Sequence, residues 1–339
     1  MITQSNLFKP AMLMALMVSI AVGSWEFYLR QKGVPITYDD GSELWADKRA
    51  NVYEPTNKAT VFIGTSRIKY DVDINTWRKI TGKDAVQLGF EGSSPLTILE
   101  DLGNDTKFNG HLVVDATEEL FFSVAPPFNS RPSDAIHYYQ KETYAQKASF
   151  QLNHVLESHL VFLNEKDLSL NAELDKLHIP NRPGVMGEPE FPIDFEQIDF
   201  DRQDKMAQEF LTNTVEQKQV TDFWKVFLGL VGKGPQPKEK AMILQKAKNA
   251  VEKIRARGGD VVFVRMPSSG YFWQTEQRLF KRQQYWEPLI TATNTRGIHF
   301  ADYPTINHFE CPEWSHLCQA QAVVFTTELI KLLPSSFAK

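Results

Sequence analysis

Cysteine is scarce in this chain of 339 residues: only Cys311 and Cys318 occur, too few for the disulfide framework of a small secreted scaffold. Metal-ligand spacings are missing too, since His154 and His159 stand five apart and no His-Glu-x-x-His occurs, so no metal site is expected. No glycine-rich phosphate loop follows an apolar run, which argues against a nucleotide, and no cofactor is expected. Lys and Arg number 37 against 42 Asp and Glu, a net charge of −5, and no basic block stands out. That composition argues against nucleic acid as a partner. Internal repeats and low-complexity tracts are also lacking. What is present is ordinary globular usage, 42% apolar and 23% charged, in a length that suits two domains or one domain with sizeable insertions.

The N-terminus departs from that pattern. Between Lys9 and Glu26 lie 16 residues without a charge, about 24 Å of helix, and Phe27, Tyr28 and Leu29 extend the run toward the thickness of a bilayer core. Trp25 and Tyr28 stand where interfacial aromatics belong. Residues 1–31 are therefore read as a retained, single-pass membrane anchor. Two rivals stay open: a cleaved signal peptide, with Ala21-Val22-Gly23 as a small-residue site, and a buried core helix. Orientation is not set by flanking charge, because Lys9 lies on one side and Arg30 and Lys32 on the other.

Residues 32–339 form the body. Four short apolar runs, Thr60 to Ile63, His111 to Val114, Asp260 to Val264 and Ile298 to Phe300, are mostly rich in β-branched residues, as strands buried on both faces are. Helical patterns alternate with them. Lys238 to Arg257 keeps Met242, Ile243, Ala247, Ala250, Val251 and Ile254 on one stripe before Gly258-Gly259, and Leu317 to Leu333 behaves likewise. The expected class is α/β, a parallel sheet with flanking helices. From about residue 125 to 237 the chain is proline-rich, including Pro180, Pro183, Pro189, Pro192, Pro235 and Pro237, with short helical stretches such as Ala207 to Gln217 and Thr221 to Leu230. This reads as a large insertion or cap.

Two segments carry chemistry. Val61-Phe62-Ile63-Gly64-Thr65-Ser66-Arg67 runs from a strand into a small-residue turn, placing Ser66 at the carboxyl edge of the sheet, where α/β folds collect ligands. A helix starting there would offer free amides to an oxyanion; the alternative role of Ser66 is a helix cap. Near the other end, Cys311-Pro312-Glu313-Trp314-Ser315-His316-Leu317 spaces Glu313 three residues before His316, so that the carboxylate can orient the imidazole and the imidazole can accept a serine proton. A helix-start histidine without a catalytic role is the competing reading.

Together these segments resemble the SGNH/GDSL hydrolase superfamily, in particular its membrane-anchored members that act on envelope polymers, such as the alginate O-acetylation and teichoic acid D-alanyl transfer proteins. Gly64-Thr65-Ser66-Arg67 matches the nucleophile block, and Glu313-Trp314-Ser315-His316 matches the Asp-x-x-His block with Glu for Asp. Gln87-Leu88-Gly89-Phe90-Glu91-Gly92-Ser93-Ser94-Pro95 is similar to the block that donates a glycine amide, with Gly92 preferred over Gly89. The resemblance implies an SGNH-like (flavodoxin-like) sheet and a catalytic set of Ser66, Glu313 and His316, with the amides of Ser66 and Gly92 as oxyanion donors. It covers about residues 60–120 and 261–333, not the insertion. A Gly-x-Asn-Asp block is absent: His111 to Leu120 has no Asn, leaving Thr117 as a positional guess for the third donor.

The function this implies is O-acyl, notably acetyl, transfer to an envelope polysaccharide through an acyl-serine, with a membrane-embedded acyltransferase as the acyl-donating partner. An SGNH esterase or deacetylase and a non-catalytic scaffold subunit are the alternatives. Arg67 and Arg265, both at the carboxyl edge of expected strands, are candidates to hold substrate; structural ion pairs would use them equally well. Cys311 and Cys318, seven apart, bracket the Glu313 and His316 segment and are within reach of a bridge. Such a bridge would place the body outside the cytoplasm, which the resemblance implies is the periplasm of a bacterium, on the inner membrane; two unpaired thiols are the alternative.

Overall fold

The structure is a computed structural model and describes residues 7–53, 59–175, 177, 191–192, 195–231 and 234–338. Pro180, Pro183 and Pro189 of the insertion lie outside the described residues. The chain divides into two compact units, residues 1–39 with 143–180, and residues 40–142 with 181–339.

The larger unit is α/β. Strands β1 (Thr60–Ile63), β2 (Ala85–Gln87), β3 (His111–Asp115), β6 (Asp260–Arg265) and β7 (Arg296–His299) form one sheet in the order β2-β1-β3-β6-β7, every pair parallel. A separate antiparallel pair joins β4 (Glu196–Ile198) to β5 (Asp204–Met206). The four apolar runs thus pair side by side, and β2 adds a fifth strand that the sequence patterns did not reveal. Counted along the chain, the sheet order is 2-1-3-4-5, which reverses direction between β1 and β3 and opens a crevice beyond their carboxyl ends.

Alternation along the strands explains the two-sided core. Val61, Ile63, Leu112, Val114, Val261 and Phe263 pack on one face with the helices Leu96–Asn104 and Pro237–Ala256. Phe62, Val113, Val262 and Val264 go to the other, with Ile68, Trp77, Phe325 and Leu329 from the helices Ser66–Asp71, Ile74–Thr81 and Gln319–Leu332. Gly103 sets the approach of the first helix pair, since a Cβ there would lie 2.8 Å from the Cα of Ala250. The two expected helices at 207–217 and 221–230 are instead one helix, Thr214–Val231, preceded by a 3-10 turn at Phe210–Thr212. Asn213 explains the boundary: its side-chain oxygen accepts the Val215 and Glu216 amides and starts the helix there.

The smaller unit contains the helix Phe8–Gln31, 24 residues long and apolar enough to cross a membrane. At 1.5 Å per residue it spans about 36 Å. Its apolar side chains are exposed along almost its whole length; Leu29 alone is buried.

His299 couples the sheet to pH. It is buried at the end of β7 against Trp286 and Phe300, and its Nδ1 accepts the Ala301 N–H at 3.2 Å. Burial, with Arg265 nearby, pushes its pKa from 6.5 down to about 3. Below about 6.5 the unfolded chain binds a proton that the folded chain refuses until about 3, so this contribution to stability is lost as the pH falls through that window. His299→Asn, which keeps an acceptor for Ala301, is expected to flatten the fall of the thermal midpoint between pH 6.5 and pH 3. An unchanged slope would show that His299 does not titrate on unfolding.

Candidate active site

The site begins with a glycine. At Gly64, which follows β1, a Cβ would lie 2.5 Å from the Asp115 Cβ and 2.8 Å from the Ile68 Cγ2, so only glycine lets the turn fit against the end of β3. Asp115 then fastens the turn: its Oδ2 accepts from the Thr65 N–H at 3.1 Å and from the Thr65 hydroxyl at 2.7 Å. Thr65 Oγ1 in turn caps the helix Ser66–Asp71 by accepting the Arg67 N–H at 3.2 Å. Ser66 is the first residue of that helix and is part-exposed, whereas the five residues after it are buried.

Ser66 Oγ lies 2.7 Å from Nε2 of His316, and Nδ1 of His316 lies 3.0 Å from Oε1 of Glu313. The two residues come from a turn rather than a helix. Trp314 between them takes a left-handed φ of 79°, and Glu313 Oε1 also accepts the His316 N–H at 2.6 Å and the Ser315 N–H at 3.3 Å. Gly270 accommodates the Trp314 ring, which a Cβ would approach to 2.6 Å. The Leu317 N–H donates to Asp71 Oδ1 at 2.9 Å, which ties the histidine segment to the far end of the Ser66 helix. Burial pushes the Asp71 carboxyl well above its ordinary range, against the pull of that amide. With Glu313 on Nδ1, the imidazole presents Nε2 to Ser66 as an acceptor, and the hydroxyl proton can leave along that line.

Trp224 was not found from the sequence. It lies on the helix Thr214–Val231, within the span read as an insertion, and its Nε1–H donates to Glu313 Oε2. Its ring also packs 5.8 Å from the His316 ring, beside Tyr70 at 4.5 Å and Phe195 at 6.3 Å. The buried Glu313 carboxylate therefore has both oxygens engaged, as a charge shielded from water requires. A tryptophan in an amphipathic helix carries no signal that would separate this role from packing.

Two glycines follow β2. The Gly89 N–H is committed to Gln87 Oε1 at 2.9 Å. Gly92, with φ +58°, has open space around its Cα, and among the described residues neither its amide nor that of Ser66 meets an acceptor. Lys69, fully buried on the Ser66 helix, holds this loop through Glu91, and also binds Asp40 at 2.7 Å and Asp204 at 3.0 Å. Burial raises the Asp204 carboxyl to about 7 despite Lys69.

Three expectations need correction. Arg67 and Arg265 do not face a substrate: both are buried, Arg67 against Glu276 at 2.8 Å and Glu119 at 3.7 Å, Arg265 against Glu118 at 2.5 Å and Glu276 at 2.7 Å. Burial raises the carboxyl of Glu119 well above its usual range with Glu276 beside it, while Arg265 and Arg67 overcome burial to hold Glu276 at about 2. Burial raises the Glu118 carboxyl too, against the pull of Arg265. Thr117 is no free donor either, because its buried hydroxyl is bound to Asp115 Oδ1 at 3.0 Å. Cys311 and Cys318 are free thiols. Cys311 is buried among Met266, Leu317 and Phe325 beneath the sheet, whereas Cys318 packs with the aromatic cluster around Trp224, so their side chains belong to different clusters despite the short spacing.

No protein-family model matches the chain, and no curated protein matches it in sequence.

The reactivity of Ser66 toward a fluorophosphonate tests the geometry. Trp224→Phe removes one hydrogen bond to a charged group, worth roughly 1.5–3 kcal/mol, so the labelling rate is expected to drop about ten- to hundredfold with the fold retained. An unchanged rate would mean that the indole only packs.

Proposed function

We propose that the chain is a membrane-anchored, extracytoplasmic serine acyl-transfer enzyme of SGNH type, moving an O-acyl group, notably acetyl, to an envelope polysaccharide. The observation that carries the reading is the hydrogen-bonded line from Ser66 through His316 to Glu313. It stands at the carboxyl end of β1, beside the reversal point of a parallel sheet. Spacing with order along the chain, as in the resembled superfamily, adds to it. The formed line also weighs against a scaffold that had lost its chemistry.

In this reading His316 Nε2 takes the Ser66 proton as Oγ attacks the ester carbonyl, and Glu313 keeps the imidazole in the required tautomer and stabilises the imidazolium. The amides of Ser66 and Gly92 receive the oxyanion. The tetrahedral intermediate collapses, His316 returns the proton to the departing alcohol, and the acyl group remains on Ser66. A sugar hydroxyl then gives its proton to His316 and attacks the acyl-serine carbonyl, and as the second tetrahedral intermediate collapses His316 passes that proton to Ser66 Oγ, which leaves as the free hydroxyl. Water in place of the sugar would make the enzyme an esterase. Thr117, the positional guess for a third donor, is bound to Asp115 and is left out of the oxyanion site.

The helix Phe8–Gln31 supports the choice of transfer. A hydrolase of soluble esters gains nothing from a membrane span, whereas an enzyme receiving acyl groups from a membrane-embedded acyltransferase does. With an acetyl ester as donor, Ser66→Ala is expected to lower turnover by roughly three decades or more. An added glycan acceptor is expected to divert acetyl from free acetate to the glycan. An active Ala variant would remove Ser66 from the mechanism, and acetate release that acceptors do not divert would make the enzyme an esterase.

A further inference from the structure

The smaller unit contains a second apolar surface besides the helix Phe8–Gln31. The helix Tyr144–Glu157 starts with a capping box between Thr143 and Gln146 and is exposed over most of its surface. At 100° per residue Tyr144, Ala145, Ala148, Leu152, Val155 and Leu156 fall within one arc of about 120°, a stripe as clean as those that face a core. Here it faces none: Leu152 is 65% and Val155 56% exposed, and Tyr144 96%. The other side is the one that packs, through His154 stacked on Phe150 and lying 5.8 Å from the Tyr38 ring. Leu170 and Leu174 on the short helix Leu170–Asp175, and Leu177 beyond its end, are exposed as well.

Hydrogen bonds fix the segment between these two faces to a level along the N-terminal helix. Glu26 accepts the Val161 and Phe162 amides at 3.1 and 3.0 Å; Arg30 donates to Glu26 at 2.7 Å and to the His159 carbonyl at 2.6 Å. Leu29 and Val161 are buried there. The segment joining the two faces is therefore fastened where the charge-free run ends, one turn from the stacked rings of Trp25 and Tyr28. A bilayer entered by that helix has its headgroup boundary at this level.

We propose that the helices Tyr144–Glu157 and Leu170–Asp175 lie in the interface of the membrane that holds the N-terminal helix, with the apolar stripe of the first and Leu170 and Leu174 of the second set into the boundary between headgroups and acyl chains. The occupant is lipid because these are exposed helix faces rather than a groove, they belong to the same compact unit as the exposed apolar helix Phe8–Gln31, and the segment between them is hydrogen-bonded to the end of that helix. Polar flanks such as Gln146, Lys147, Asn153 and Glu157 suit a helix lying in the interface plane. The mixed charge calls for apolar burial rather than attraction to anionic lipid. This inference rests on the reading of residues 8–31 as a membrane span.

The test uses the full chain in phosphatidylcholine nanodiscs, with an environment-sensitive fluorophore on a single introduced cysteine: Val18→Cys, Leu152→Cys, Asn153→Cys or Leu174→Cys. The unsubstituted chain gives the labelling background of its own two thiols. Lipids spin-labelled near the headgroup are expected to quench probes 152 and 174 but not 153, and lipids labelled at the chain end are expected to quench probe 18. If probe 18 is not quenched, the membrane-span reading fails. With probe 18 quenched, free access of aqueous iodide to 152 and 174 overturns the inference. So does shielding of both from iodide and lipid labels alike, which would mean that protein covers these faces.

Discussion

Burying charge in the short helix Ser66–Asp71 is the constraint on which the site depends. Arg67, Lys69 and Asp71 are all withdrawn from water within one and a half turns, and each must be met by a partner or neutralised. The partners lie on different loops. Arg67 draws in Glu276 and, through its Nε, the hydroxyl of Ser315 in the histidine turn at 3.3 Å. Lys69 gathers Asp40, Asp204 and the Glu91 that precedes Gly92. Asp71 accepts the amide of Leu317. One helix thus positions the serine it begins with, the loop proposed to bind the oxyanion and the turn proposed to hold the base. Ion pairs of this kind contribute little net stability, because desolvation offsets the attraction; what they add is a single arrangement of the loops.

Charge balance beneath the serine follows the same logic. Arg67 and Arg265 face three carboxyls, Glu118, Glu119 and Glu276, in a space closed to water. Burial pushes the Glu118 and Glu119 carboxyls up, whereas the two guanidiniums hold Glu276 low, so the cluster's negative charge is favoured on Glu276 between the arginines. The rings of Tyr70, Phe195 and Trp224 pack around His316. The imidazole is therefore screened from water on the side away from Ser66, which strengthens its hydrogen bond to Glu313.

How much of this was legible differs by element. The strands Thr60–Ile63, His111–Asp115 and Asp260–Arg265 could be read because burial on both faces leaves an unbroken apolar run. Ala85–Gln87 could not, being three residues long and ending in a glutamine whose amide donates inward to the Ile68 carbonyl. Glu313 and His316 were visible because their interaction is local, three residues apart. Trp224, 89 residues from Glu313, left no such trace. Arg67 and Arg265 stay open in the sequence between a substrate contact and an ion pair, because the edge of a sheet suits both equally and only burial separates them. The two cysteines show the same limit, since spacing sets reach but not the direction in which each side chain points.

The central claim is that Ser66 becomes acylated, and peptide mapping of enzyme quenched with acid during turnover of an acetyl ester measures that directly. The account predicts one acetyl group on the peptide that contains Ser66, present in the steady state and lost when the donor is exhausted. Steady turnover with that peptide unmodified at every quench time, and an acyl group found on another residue or on none, would contradict it.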